Sequence, residues 1–85
     1  MLTPVRVLLF ATAREAVGRS SLSRPVPDGG VALEQFLGDL AALHPRLGPV
    51  LRTCRVAQNG EILPTRSAHV RPGDELALYP PFSGG

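Results

Sequence analysis

The sequence has no lysine: all nine of its basic residues are arginine, spread from Arg6 to Arg71 among seven acidic residues. The chain therefore offers no side-chain ε-amine for an isopeptide bond. It can be attached to another protein through its own carboxylate, but it cannot receive a copy of itself on a lysine. The net charge is only +2, there is no block of basic residues, and one Tyr with three Phe gives little on which to stack bases. Nucleic-acid binding is not expected. A single cysteine, Cys54, excludes an internal disulfide and a multi-cysteine metal site, and it fits a reducing, cytoplasmic compartment. No apolar run approaches the roughly 20 residues of a membrane span. No small-residue cleavage site follows an apolar stretch at the N-terminus, so no signal peptide is expected. Gly29-Gly30 is not a phosphate loop, because the Gly-x-x-x-x-Gly-Lys spacing and its lysine are missing.

What is present amounts to one domain, residues 1–85. A chain of this length buries only about 60% of its unfolded surface, so its core must be small. Val5 to Phe10 alternates as a strand, with Val5, Val7 and Leu9 on one face and Arg6, Leu8 and Phe10 on the other. Thr12 is placed to cap a short helix over 13–17, with Glu15 completing a capping box and Gly18 ending it. Arg14 and Glu15 then read as a capping and solvating pair rather than as catalytic groups. Ser20 to Val26 reads as an edge strand paired back on the first, because Pro25 and Pro27 fit only an edge or its end. Val31 to Leu43 is the one long helix expected: Leu33, Phe36, Leu37, Leu40 and Leu43 form one apolar stripe. Pro45 stops it by disfavouring helical geometry at His44, whose reading is a helix C-terminal residue rather than a ligand.

Arg46 to Leu51 reads as a loop and Thr53 to Gln58 as a third strand. Asn59-Gly60 is a hairpin turn signal that returns the chain along Glu61-Ile62-Leu63. Cys54 reads as a small buried hydrophobe rather than a persulfide acceptor. Pro64 to Val70, with His69, reads as an irregular connection. Pro72-Gly73 suits the centre of a type II turn that leads into a last strand ending at Tyr79. The expected class is α+β, with a mixed sheet of about 4–5 strands, one main helix across it and a short helix after strand 1. Strand 1 and the last strand should lie side by side in the middle.

The chain then closes with Tyr79-Pro80-Pro81-Phe82-Ser83-Gly84-Gly85. Pro80 and Pro81 cannot continue a ladder and hold the segment extended, as a stalk. Gly84 and Gly85 have no side chains to obstruct a narrow tunnel. The terminal carboxylate on Gly85 is the reactive group this chain is expected to offer.

These segments resemble the small, sulfur-carrying subunits of molybdopterin synthase, carriers of the ubiquitin-like, or β-grasp, class. The resemblance runs through Val5-Arg6-Val7-Leu8-Leu9-Phe10-Ala11 with Arg14-Glu15 and Gly18, through Gln58-Asn59-Gly60-Glu61, and through Pro72-Gly73-Asp74-Glu75-Leu76 with Tyr79-Pro80-Pro81 and Gly84-Gly85. It implies that the chain binds no cofactor itself. A partner enzyme adenylates Gly85 with ATP and magnesium, and persulfide sulfur from a separate donor converts the acyl adenylate to a thiocarboxylate. The tail, Pro80, Pro81, Phe82, Ser83 and Gly84, then threads into the synthase large subunit, where the sulfur passes to a pyranopterin precursor. It further implies that Phe10, Ile62 and Tyr79 form an exposed apolar docking patch used by both partners; the alternative is that all three belong to the core. No metal site is implied. Other readings are a carrier for thiamin or tRNA thiolation, a protein modifier, and a β-grasp binding module with an inert terminus. Tyr79 departs from the phenylalanine of the family pattern, and residues 28–30 and 43–51 match it poorly.

Overall fold

The computed structural model describes residues 3–81. Its centre is a parallel pair. Strand β1 (Val5–Leu9) lies beside β7 (Glu75–Tyr79), with Arg6 opposite Glu75, Val7 opposite Leu76 and Leu9 opposite Leu78. On the outer side of β1, β2 (Ser21–Arg24) pairs antiparallel and forms one edge; on the far side of β7, β4 (Arg55–Gln58) pairs antiparallel, and β5 (Glu61–Ile62) closes the other edge. The sheet order is β2-β1-β7-β4-β5, which is the β-grasp arrangement with strand 1 and the last strand adjacent.

The alternation expected for β1 is realised. Val5, Val7 and Leu9 are buried, whereas Arg6 is exposed and Leu8 half-buried. Leu22, Val56, Leu76 and Leu78 join them on the inner face. Over that face lie helix α1 (Ala11–Val17), helix α2 (Leu33–Leu43) and helix α3 (Leu47–Leu51). Leu33, Phe36, Leu37 and Leu40 of α2 are buried in the same cluster, the stripe read from the sequence. Leu43, its last member, is exposed. No helix among the described residues is long and apolar enough to cross a membrane.

Four sequence expectations are corrected. First, α1 begins at Ala11, not after a Thr12 cap: the capping position is Phe10, which offers no side-chain bond, and its carbonyl accepts from the Ala13 amide at 3.0 Å and the Arg14 amide at 3.4 Å. Second, α2 starts at Leu33; Val31–Ala32 instead forms a two-residue strand, β3, paired with β6 (His69–Val70). His69 therefore sits on a strand, not in an irregular loop. Third, residues 47–51 are helical. Pro49 is the third residue of α3, within the first turn, where its missing N–H has no intrahelical partner to lose. Leu47 and Leu51, four apart, are its buried face. Fourth, strand β2 is shorter than expected and stops before Pro25.

The turns follow their residue chemistry. Gly18 ends α1 at φ +82°, its amide donating to the Arg14 carbonyl at 2.7 Å. Asn59 (φ +51°) and Gly60 (φ +88°) both take left-handed φ, the requirement of a type I′ hairpin turn.

Candidate functional site

The face of the sheet opposite the helices carries the candidate site. Register places Leu8, Ala77, Ala57 and Ile62 in a row across β1, β7, β4 and β5. One position toward the end of β7, Tyr79 stands opposite Arg55, and Phe10 follows β1 on the same side. Phe10 is 41%, Ile62 49% and Tyr79 39% exposed. None of the three belongs to the core: each is an exposed apolar side chain on this face. Two of them form an aromatic pair: the Phe10 and Tyr79 rings stack with centroids 4.9 Å apart and planes 9° from parallel.

This pairing is a product of topology. Phe10 and Tyr79 are far apart in sequence, and they meet because β1 and β7 run parallel in matched register. Both strands end at the same edge of the sheet, so their next side chains stand together where the chain leaves it. Pro80 follows, half-buried, then Pro81, exposed. Phe82, Ser83, Gly84 and Gly85 lie outside the described residues.

A polar clasp holds β7 in this register. Asp74, just before the strand, accepts from the Asn59 side-chain amide at 3.1 Å, from the Gln58 side-chain amide at 3.0 Å and from the Arg71 backbone amide at 2.9 Å. Asn59 in turn accepts from the Glu75 amide at 2.9 Å, and Gln58 also donates to the His69 carbonyl at 2.9 Å. Burial alone raises the Asp74 pKa; the three donors together with the Arg71 charge outweigh it and leave the carboxyl below its ordinary value. The hairpin turn 59–60 and the turn 72–73 are thus tied to each other. The sequence shows both turns but gives no sign of the tie, which spans 15 residues.

The other residues weighed from sequence take structural places. Arg14 and Glu15 are exposed on α1. His44 ends α2, its amide donating to the Leu40 carbonyl at 2.8 Å. His69 sets Nε2 at 2.8 Å from the Gly29 carbonyl oxygen, linking β6 to the turn before β3. Cys54 is a free, buried thiol; burial pushes its pKa up, and Arg66 opposes this only in part. Arg66 escaped the sequence reading. Its Nη2 donates to the Leu51 carbonyl at the end of α3 and to the Cys54 carbonyl at 2.8 Å, pinning α3 to the start of β4. Among the described residues no group of three or more His, Cys, Asp or Glu side chains is placed to hold a metal.

Comparison with known proteins agrees with this geometry. The profile of the ThiS family matches residues 7–85. The chain is 38% identical over 82 residues to the molybdopterin synthase sulfur carrier subunit of Chlamydomonas reinhardtii, covering 95% of this chain and 98% of that one. It is 42% identical over 81 residues to the protein of the same name from Arabidopsis thaliana, covering 95% of this chain and 82% of that one. The crystal structure of SAMP1, a small archaeal modifier protein from Haloferax volcanii, superposes with a TM-score of 0.81 at 30% identity, covering 96% of this chain and 99% of that one. By its match over residues 7–85 and by these relatives, the chain belongs to the ThiS family.

Proposed function

We propose that this chain is the sulfur carrier subunit of a molybdopterin synthase. The observation that supports it best is the junction at Tyr79. There the strand paired with β1 gives way to Pro80-Pro81 beside the exposed Phe10–Tyr79 stack, in a chain whose relatives carry that name. A docking surface next to the root of a tail is what a carrier needs: the partner grips the patch and takes the tail.

The chemistry belongs to Gly85. A carboxylate is a poor electrophile, since its charge is delocalised and oxide is a poor leaving group. An adenylating enzyme, with ATP and magnesium, would form the acyl adenylate and release pyrophosphate. A persulfide from a donor protein would attack the acyl carbon and expel AMP. A thiol would then reduce the resulting acyl disulfide to the thiocarboxylate. That sulfur nucleophile would pass to a pyranopterin precursor in the synthase large subunit. Pro80 and Pro81 contribute by limiting the tail's freedom before docking, so less order is lost on threading. One patch serving both partners makes the two complexes mutually exclusive. A cytoplasmic setting suits both the thiol Cys54 and a persulfide donor.

A second reading is favoured by the likeness to SAMP1: Gly85 would be joined to protein amines. One experiment addresses both. The untagged chain is incubated with ATP, a persulfide donor and the host adenylating enzyme, and its intact mass is measured. Exchange of one oxygen for sulfur, absent when Gly85 is deleted, supports the carrier; addition of the large subunit and precursor should then restore the original mass. Conjugates to protein amines without thiocarboxylate would support the modifier instead. An unchanged mass with an active enzyme would sink both.

A further inference from the structure

At the β5 edge of the sheet a cleft of about 340 Å³ opens between β4 and the segment that follows β5, lined by Arg55, Ile62, Pro64, Thr65 and Arg66 and, from the inner face, by Cys54, Val56 and Leu63. Two of its lining residues are arginines, and none of those described is acidic. The two cations differ in how they are held. Arg66 is half-buried and fixed by the Leu51 and Cys54 carbonyls, both bonds made by Nη2; it stands between this cleft and the α2–α3 groove that holds Glu34, and a guanidinium has five N–H donors. Arg55 is exposed.

Register shows why Arg55 is unusual on this face. Arg6, the other arginine on the outer face of the central strands, stands directly opposite Glu75. Arg55 stands opposite Tyr79, and the β4–β5 register that sets Ala57 against Ile62 puts Pro64 on its other flank. Its neighbours on the face are therefore an aromatic ring, Ala57, Ile62 and a proline. A cation with apolar neighbours on this face, lining a cleft with a second cation, is complementary to a carboxylate that arrives with apolar surface around it. An arginine fork also suits carboxylate geometry.

We infer that the cleft between Arg55 and Arg66 seats an Asp or Glu side chain of the protein that docks on Phe10, Ile62 and Tyr79. The inference rests on the carrier reading and adds to it the chemistry of the partner's contact. The apolar patch supplies contact area. The carboxylate fixes its orientation and excludes partners with a neutral or basic residue at that point.

The test is calorimetric titration of the full, untagged chain with the adenylating enzyme and with the synthase large subunit, at low and at physiological salt. Arg55→Gln and Arg55→Glu are compared with wild type; Arg66 is left alone because it holds α3. Arg55→Gln should weaken binding to at least one of the two proteins by about threefold, and Arg55→Glu by about tenfold or more. The salt dependence of the affected complex should fall, since one screened pair is gone. Thermal unfolding of the free variants should match wild type, because Arg55 is exposed. Unchanged affinity of Arg55→Glu for both proteins overturns the cleft while leaving the carrier reading intact. So does a variant that binds normally but is poorly thiocarboxylated, which would assign the cleft to the chain's own terminal carboxylate. If wild type binds neither protein, the docking reading falls and takes the cleft with it.

Discussion

Phe10 and Tyr79 stack face to face, 4.9 Å between centroids, yet each leaves about two-fifths of its surface in water. The core does not need them. An aromatic pair adds about 0.5–1.5 kcal/mol beyond its buried area, and surface substitutions away from special features stay within about 0.5 kcal/mol. Phe10→Ala and Tyr79→Ala should each lower unfolding free energy by about 1 kcal/mol, measured by denaturant titration. If the patch docks the partners, either variant should weaken binding to the large subunit by about 2 kcal/mol, roughly thirtyfold, as interface anchors do. Equal losses in stability and in affinity would mean that the pair is structural.

Asp74 gives the fold an acid-sensitive clasp. Its folded pKa lies below the ordinary value of about 3.9. The sign follows from that direction: the contribution is present above the unfolded pKa and is lost as pH falls through the folded one. In Asp74→Asn the oxygen can still accept from Gln58 and Arg71, as Oδ2 does, but the new NH2 then faces the Asn59 side-chain amide, donor against donor. The substitution should cost about 1–2 kcal/mol at neutral pH and flatten the acid limb of stability against pH. Parallel curves for the variant and wild type between neutral pH and pH ~3 would show that the clasp does not titrate.

The β-grasp order was legible because its signals are local and strong: the period-two apolar run of β1, the α2 stripe, Asn59-Gly60 and Pro72-Gly73. The same signals placed Phe10 and Tyr79 on neighbouring strands, so their exposure and stacking were the open part. What was not legible depended on distance or brevity. Helix α3 was hidden by Gly48-Pro49, read as breakers, although Leu47 and Leu51 stand one turn apart. The β3–β6 ribbon is two residues per strand, too short for any period to show. Thr12 looked like a cap because cap chemistry ignores strand exit; the helix starts earlier, directly off β1. The Asp74 clasp and the Arg66 pin join segments more than ten residues apart, which no local pattern encodes.

Two glycines make opposite predictions. Gly30 has φ +79°, and a Cβ there would collide with the Val70 carbonyl oxygen and lie 2.9 Å from the His69 ring. The nearest obstacle is a backbone oxygen, which cannot swing aside. Gly30→Ala should cost about 2 kcal/mol or more and open the β3–β6 ribbon. Gly38 lies inside α2 on its exposed side, with nothing within 4 Å of a built Cβ. Gly38→Ala should stabilise by about 0.5–1 kcal/mol. Thermal melts of both variants check this, and a loss at Gly38 would mean that another chain packs against that side of α2.

Ala11 takes φ +49° at the point where β1 turns into α1. A left-handed backbone costs a residue with Cβ about 1–2 kcal/mol, and the fold accepts this at the residue following Phe10. The turn that follows Phe10 thus holds backbone strain, in a residue type that tolerates this φ less well than Asn59 does. Ala11→Gly removes the steric cost but frees the unfolded chain, two effects of about 1 kcal/mol that oppose each other. It should leave the melting temperature near wild type. Ala11→Val, with a branched Cβ in the same backbone, should destabilise by more than 1 kcal/mol. If partners dock on this face, Ala11→Val should also weaken their binding more than its stability loss alone explains, because the strained residue adjoins Phe10. Titration of the folded variant well below its melting temperature separates the two, and unchanged affinity there would mean that Phe10 keeps its position without this turn.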